Sequence, residues 1–266
     1  MLPTPYTTHV DGERTYVPAE DSFLFLDTLS SEPETHFLRN RFGLSSGRPA
    51  PLIVEVGTGS GIILAFITAH AQTLFGTSQI LTVGTDVNRY ACVDAQQTVR
   101  RTLKDTLTEC SSTAAQPAKC WGEHLAIFNG DLTCPLRSGV VDLLLFNPPY
   151  VPSSNVPSVS LDRGTGGSDR DLDKDAHMLD LSYEGGLDGM EVTQRFLDQL
   201  PLVLNKERGA AYVLLCKQNR PEEVIQRLRD NNQWEVDVVA RSGSFAGWEK
   251  LQIIRIAMKM HLTDKD

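Results

Sequence analysis

The chain holds a short run of residues whose chemistry stands out, Asn147, Pro148, Pro149 and Tyr150, directly after the apolar run 142–146. Because neither proline has an N–H to donate, a buried strand must stop there in a stiff turn. The Asn147 side-chain oxygen and the Pro148 carbonyl can each accept a hydrogen bond. Two converging acceptors can hold one planar –NH₂ group. We therefore interpret Asn147, Pro148 and Tyr150 as catalytic, and the whole turn, Pro149 included, as the substrate site.

The two candidates for this planar –NH₂ group are a glutamine amide and an exocyclic adenine amine. The lone pair of either group is delocalised and therefore weakly nucleophilic. Holding both N–H bonds lets the nitrogen become pyramidal as a new bond forms, without a strong general base. Positioning and electrostatic complementarity would then be the main catalytic terms.

A glycine-rich loop lies upstream, in "VEVGTGSGI" (54–62), between a predicted strand and a predicted helix. Gly57, Gly59 and Gly61 allow a sharp turn and the close approach of a ligand to the backbone. A dinucleotide-binding loop would need glycine where Ile62 stands, and no Gly-Lys-Ser/Thr follows, so NAD, FAD and nucleoside triphosphates are disfavoured. The spacing Glu55-x-Gly57-x-Gly59-x-Gly61 resembles the first motif of the class I methyltransferases, and this resemblance implies S-adenosylmethionine, a cofactor with no phosphate, as the ligand.

Carboxylates follow the glycine loop at the ends of successive predicted strands. Asp86 could accept both ribose hydroxyls of that cofactor, and Asp131 its adenine amino group, with Leu132 packed on the ring. Glu55 stands inside an apolar strand, where an unpaired carboxylate would be costly. An open α/β sheet binds its ligand at this edge.

The elements that position these residues alternate between strands and helices, which predicts a doubly wound sheet. Several strands are apolar throughout, as expected where helices cover both faces. Helices are predicted over 61–75, 89–103 and 221–232. The predicted strands are 52–56, 80–86, 125–131, 141–147, 210–216, 234–240 and 251–257.

Two stretches interrupt this alternation. Residues 104–123 are rich in Ser, Thr and Ala and indicate a connection or a lengthened helix, and 153–176 indicate either a surface loop or a cover for a substrate. The expected organisation is an N-terminal extension with a helix packed on the core (1–51), a catalytic domain with both insertions (52–260), and a tail (261–266).

Composition limits the class of protein. The net charge of −9 over 266 residues argues against a surface built for nucleic-acid backbones. No apolar run is long enough to span a membrane, and the N-terminus does not resemble a signal peptide. The five cysteines are scattered, with no Cys-x-x-Cys pair, so neither a disulfide framework nor a metal site is expected. We expect a cytoplasmic or nuclear protein.

Four segments together resemble the HemK-type glutamine methyltransferases, especially the eukaryotic branch that modifies the class-1 translation termination factor. They are "YVPAEDSFLFLDTL" (16–29), "VEVGTGSG" (54–61), "FNPPYV" (146–151) and "EGGLDGMEVTQRFL" (184–197). The first and last are the more discriminating, because adenine-N6 DNA methyltransferases also use the Asn-Pro-Pro-Tyr turn.

The resemblance implies a class I S-adenosylmethionine-dependent methyltransferase fold, Rossmann-like, with a seven-stranded, mostly parallel sheet. It implies N5-methylation of the glutamine in a Gly-Gly-Gln motif of the release factor, with or without its GTPase partner, and S-adenosylhomocysteine as product. It also implies a heterodimer with a small zinc-binding activator subunit. The expected cofactor contacts are Ser22, Glu55, Gly57, Gly59, Gly61, Asp86, Asp131, Leu132 and Asn147.

Two interpretations stay open at this stage. Glu20 and Asp21 could border the cofactor pocket or simply cap a helix that starts near Ser22. An adenine-N6 nucleic-acid methyltransferase using the same turn is the alternative function, and it would need a basic, aromatic-lined groove.

Overall fold

The computed structural model describes residues 2–44, 48–111, 119–154, 178–243 and 250–259. Most of the predicted insertion 153–176 therefore lies outside the described residues, as do 112–118 of the other insertion and the tail 261–266. Within the described ranges, no helix is both long and apolar enough to cross a bilayer.

Seven strands form one sheet in the order β3-β2-β1-β4-β5-β7-β6. The strand β7 runs antiparallel to both of its neighbours, and the other pairs are parallel. The predicted fold is therefore confirmed, and no strand end differs from its prediction by more than two residues. The strands are β1 (Leu52–Val56), β2 (Leu81–Asp86), β3 (Glu123–Asn129), β4 (Leu143–Phe146), β5 (Ala210–Cys216), β6 (Trp234–Arg241) and β7 (Leu251–Met258).

The central strands are apolar on both faces because helices cover both faces of the sheet. Side chains of a strand alternate between faces, and β4 shows the result. Leu143 and Leu145 belong to one hydrophobic cluster, whereas Leu144 and Phe146 belong to a second. The helices are α1 (Glu20–Ser30), α2 (Glu32–Phe42), α3 (Ile62–Ala69), α4 (Ala71–Phe75), α5 (Arg89–Ser111), α6 (Glu191–Val203) and α7 (Pro221–Asp230).

The prediction of one helix over 61–75 is wrong, because the helix breaks at His70. A continuous helix would need the Gln72 N–H to bond the Thr68 carbonyl. Instead Gln72 donates to the Cys120 carbonyl (3.0 Å), and Thr68 accepts from the Gly122 N–H (2.8 Å). The N–H and the carbonyl that would form one hydrogen bond of a continuous helix therefore both bond to the segment that leads into β3.

The helix α5 is longer than predicted and runs to Ser111, which agrees with the lengthened-helix interpretation for residues 104–111. The N-terminal extension contains two helices rather than one. Phe25 of α1 and Phe42 of α2 are fully buried in the first cluster. An ion pair between Glu34 of α2 and Arg255 of β7 (2.6 Å) also ties the extension to the sheet.

Candidate active site

A cavity of about 720 Å³ lies at the carboxyl ends of the strands, where open α/β sheets bind their ligands. Its volume is typical of sites for small molecules and cofactors. Ten of the twelve predicted site residues line it: Ser22, Glu55, Gly57, Gly59, Asp86, Asp131, Leu132, Asn147, Pro148 and Pro149.

The glycine loop forms the floor of this cavity, with φ of +65° at Gly57 and +48° at Gly59. A Cβ atom on Gly57 would lie 3.3 Å from the ring of Phe146. Glycine is therefore favoured here by the backbone angle, and a side chain would also be tightly placed against Phe146. The third glycine, Gly61, does not line the cavity. It lies where the loop meets α5, so its role is close packing.

The side chain of Glu55 lies inside a buried strand, and it gains a hydrogen-bond partner there by capping a helix. Its Oε2 accepts the N–H of Leu64 (3.0 Å), the third residue of α3. The helix N-terminus has unpaired N–H groups and favours negative charge. Burial nevertheless raises the pKa of Glu55 well above its ordinary value. Glu55 thereby joins β1, the loop and α3 into one rigid unit.

Asp86 fixes the loop from the neighbouring strand. Its Oδ2 accepts the Gly59 N–H (2.9 Å) and its Oδ1 accepts the Asn88 N–H (2.8 Å). Burial raises the pKa of this carboxyl group from 3.8 to about 6. Asp86 is therefore a group whose charge changes in mildly acidic solution.

Asp131 and Leu132 lie just beyond β3. The carboxylate of Asp131 forms an ion pair with Arg195 of α6, which also lines the cavity and which sequence reasoning did not identify. Leu132 has a φ of +49°, an unfavourable backbone conformation for a side chain of this size. Residues held in such conformations cluster at functional sites.

Asn147 has a defined orientation at the end of β4. Its Nδ2 donates to Oδ2 of Asp21 (3.0 Å). Its Oδ1 is buried and has no hydrogen-bond partner among the residues that the structure describes. A buried acceptor without a partner is costly, and at the wall of a cavity it indicates a ligand that donates an N–H or O–H.

Asp21 is the main residue that sequence reasoning left undecided. Of the pair that could border the pocket or cap the helix, Asp21 is buried and lines the cavity, whereas Glu20 is exposed. Tyr16, which also lines the cavity, donates its hydroxyl to Asp21 Oδ2 (2.7 Å). Glu20 and Asp21 are adjacent acidic residues in the first turn of α1, so the sequence alone did not distinguish between them.

Tyr150 is the predicted catalytic residue that the cavity wall does not include. It packs against the first hydrophobic cluster, and its carbonyl accepts from Nδ2 of Asn219 (3.1 Å). Its contact with a substrate stays a prediction.

The donors and acceptors of the cavity fit S-adenosylmethionine better than a phosphate-bearing cofactor. Among the described residues that line it, four are carboxylic acids (Asp21, Glu55, Asp86 and Asp131), and the single cation, Arg195, is paired with Asp131. Carboxylates accept hydrogen bonds from hydroxyl and amino groups and repel phosphates. The glycine backbone allows the close approach that a cofactor needs.

Comparison with known proteins gives full-length relatives. "Methyltransferase HEMK2" of Mus musculus is 29% identical over 261 residues, which cover 96% of this chain and 97% of the mouse protein. The "eRF1 methyltransferase catalytic subunit mtq2" of Schizosaccharomyces pombe is 26% identical over 261 residues, 96% of each chain. Among solved structures, the "delta-N METTL16 MTase domain" aligns with 93% of this chain and 85% of its own, at 13% identity and a TM-score of 0.47. No family model matches.

Support for the family comes from the sequence relatives. Proteins from mouse, human and fission yeast match over at least 95% of this chain, and all are named as methyltransferases. The resemblance seen in the four sequence segments is thereby confirmed. Over nearly its whole length, the chain is similar to the HemK-type methyltransferases.

Proposed function

We propose that this enzyme transfers a methyl group from S-adenosylmethionine to the side-chain amide nitrogen of glutamine in a Gly-Gly-Gln motif of the class-1 translation release factor. The observation that carries the proposal is the buried, unpartnered Oδ1 of Asn147 at the cavity wall. That oxygen can accept one N–H of the substrate amide.

When bound, the cofactor would supply an electrophilic methyl group on a positively charged sulfur. The amide nitrogen of glutamine would use its electron pair to form the new N–C bond. The C–S bond would break with its electrons going to sulfur, which leaves a neutral thioether. The nitrogen would then lose one proton to solvent.

The residues of this chain would act by holding the substrate nitrogen. Asn147 Oδ1 would accept one N–H, and the Pro148 carbonyl would accept the other. Both acceptors stabilise the positive charge that develops on nitrogen, and both are fixed before the reaction. Gly57, Gly59 and Asp86 would hold the cofactor, with Asp86 accepting from its hydroxyls.

The names of the relatives support the choice of substrate. The fission yeast relative is named as an eRF1 methyltransferase. Bacterial relatives that match about 60% of this chain are named release factor glutamine methyltransferases. A glutamine amide fits the two-acceptor arrangement that Asn147 and Pro148 can offer.

Mass spectrometry of the release factor tests the proposal directly. The factor is incubated with the enzyme, the activator subunit and S-adenosylmethionine, beside a factor whose motif glutamine is changed to asparagine. We expect one added methyl on that glutamine and none on the control. No methylation despite demonstrated cofactor binding would contradict the proposal. An adenine-containing oligonucleotide, run in parallel, tests the other planar –NH₂ substrate.

Cofactor affinity should depend on pH through Asp86. The carboxyl group with its pKa of about 6 must be ionised to accept from two hydroxyls. The affinity is therefore highest well above pH 6, where Asp86 is ionised, and it falls as the pH drops through that value. We expect S-adenosylhomocysteine to bind about tenfold more weakly at pH 5 than at pH 7.5, as measured by calorimetry. Glu55 is also a buried acid and could contribute to the pH dependence. The Asp86→Asn variant, which cannot ionise at position 86, separates the contribution of Asp86 from that of Glu55. An equally steep profile in that variant would exclude Asp86.

We also propose that a small zinc-binding activator subunit covers the β3 edge of the sheet. Among the described strands, β3 pairs with β2 alone, and its large apolar side chains Leu125 and Phe128 are 56% and 43% exposed. An uncovered edge with apolar side chains favours association with another chain. The word "subunit" in the name of the fission yeast relative supports a complex.

The edge can be tested by substituting its apolar side chains. Leu125→Glu and Phe128→Glu should each weaken copurification with the activator at least tenfold, because burying a charge at the contact is costly. Leu202→Glu on α6, where the side chain is 65% exposed, is the matched control. Equal binding by all three variants would show that the activator uses another surface.

A further inference from the structure

We propose that Asp21 is a positioning residue that fixes the amide of Asn147 with its oxygen toward the cavity, and thereby restricts the site to substrates that donate an N–H. This inference rests on the proposed role of Asn147 as the acceptor of the substrate nitrogen. It assigns to α1, in the N-terminal extension, a direct part in selecting the substrate.

The carboxylate of Asp21 is 3% exposed and is surrounded by donors. Its Oδ2 accepts Asn147 Nδ2 (3.0 Å) and the Tyr16 hydroxyl (2.7 Å). Its Oδ1 accepts the Ser22 N–H (2.6 Å) and the Ser22 hydroxyl (3.2 Å). An ionised carboxylate only accepts hydrogen bonds, so these four contacts suit the charged form.

This arrangement decides which atom of the Asn147 amide faces the substrate. A half-turn of the amide exchanges oxygen and nitrogen at almost no steric cost. In the turned state, Oδ1 would lie against the negatively charged Oδ2 of Asp21, and the –NH₂ group would face the cavity. Two acceptors at about 3 Å repel each other. The carboxylate therefore holds Asn147 as an acceptor and excludes the orientation that would donate to the ligand.

The charge of Asp21 also acts on the reaction through Asn147. A hydrogen bond to a carboxylate polarises the amide and makes its oxygen a stronger acceptor, an effect that is larger in a buried environment. The substrate nitrogen becomes more positive as it bonds to the methyl carbon. A negative charge fixed behind the acceptor stabilises this growing positive charge with no rearrangement during the reaction.

Tyr16 keeps the carboxylate in place. Burial, together with the nearby charge of Asp21, raises the pKa of Tyr16, so its hydroxyl stays protonated and remains a donor. The ring of Tyr16 meets that of Tyr183 edge to face, with centroids 5.3 Å apart. This contact restricts the movement of Tyr16.

Kinetics of three variants test the inference with the release factor as substrate. Asp21→Asn should lower kcat at least tenfold, with S-adenosylhomocysteine affinity within twofold of wild type. Tyr16→Phe should lower kcat a few-fold, which keeps the test usable if Asp21→Asn folds poorly. Asp27→Asn, at an exposed position of the same helix, should leave kcat unchanged. An unchanged kcat in Asp21→Asn would overturn the inference.

A swap of the two side chains separates positioning from a merely structural role. Asn147→Asp alone sets two carboxylates against each other. Adding Asp21→Asn restores one donor and one acceptor, with a carboxylate oxygen toward the cavity. We expect the double variant to be at least tenfold more active than Asn147→Asp alone. A double variant no more active than the single one would contradict the inference.

A measurement without substrate distinguishes failure of this inference from failure of the proposed function. The side-chain amide signals of Asn147 in ¹H–¹⁵N spectra are assigned by their loss in Asn147→Ala. Their exchange with water should be at least fivefold faster in Asp21→Asn than in wild type. Unchanged exchange overturns the inference, whether or not the wild-type enzyme methylates the release factor.

Discussion

Asn147→Ala should lower the rate of methyl transfer at least a hundredfold. The substitution removes a buried acceptor at the cavity wall that has no hydrogen-bond partner among the described residues. Losing a single preorganised hydrogen bond that stabilises developing charge typically lowers kcat by about 10²- to 10³-fold. The measurement is kcat for incorporation of labelled methyl into the release factor, together with the affinity for S-adenosylhomocysteine by calorimetry.

Cofactor affinity should change only a few-fold in Asn147→Ala, because the glycine loop and Asp86 are untouched. Asn40→Ala, on the exposed face of α2, serves as the matched control and should retain full activity. If Asn147→Ala kept more than a tenth of the wild-type rate, the turn would be a structural feature and the proposed mechanism would be wrong.

Gly61→Ala should lower the free energy of unfolding by about 3 kcal/mol or more. The residue has a φ of +75°, which costs a side chain about 1–2 kcal/mol. The new Cβ would also lie 2.5 Å from the Cα and 2.7 Å from the Cβ of Ala95 in α5. A backbone atom cannot move aside as a flexible side chain can, so α3 and α5 would have to separate.

Gly139→Ala separates these two causes. Gly139 has a similar φ of +70°, but a Cβ there would meet nothing within 4 Å among the described residues. The Gly139→Ala substitution should lower the free energy of unfolding by only about 1 kcal/mol. Urea denaturation of both variants gives the difference directly. Equal losses would mean that backbone strain alone, and not the contact with Ala95, requires glycine at position 61.

The parts of the fold set by local pattern could be predicted from the sequence. Each strand is a short apolar or β-branched run, and the two-sided burial of β4 explains why Leu143–Phe146 shows no alternation with polar residues. The break at His70 could not be predicted, because its cause lies in residues 120–122, which are far away in the chain.

The candidate site also has parts that could be predicted from the sequence and parts that could not. The glycines and the strand-end carboxylates could be predicted, because few other residues fit their positions. The role of Asp21 depends on contact with a side chain 126 residues away, and nothing local marks it. The motif suggests a ligand contact for Tyr150, and this stays a prediction, because the residue packs against the first hydrophobic cluster and does not line the cavity.

The hydrogen bond between Asp21 and Asn147 also has a consequence for the order of events during synthesis. At about 5–20 residues per second, the 126 residues between them take about 6 to 25 s to emerge. By the end of that interval α1, the glycine loop and Asp86 have all been synthesised, and Asn147 is the last of these site residues to be added. The residues that we assign to the cofactor are therefore synthesised before the acceptor that we assign to the substrate nitrogen.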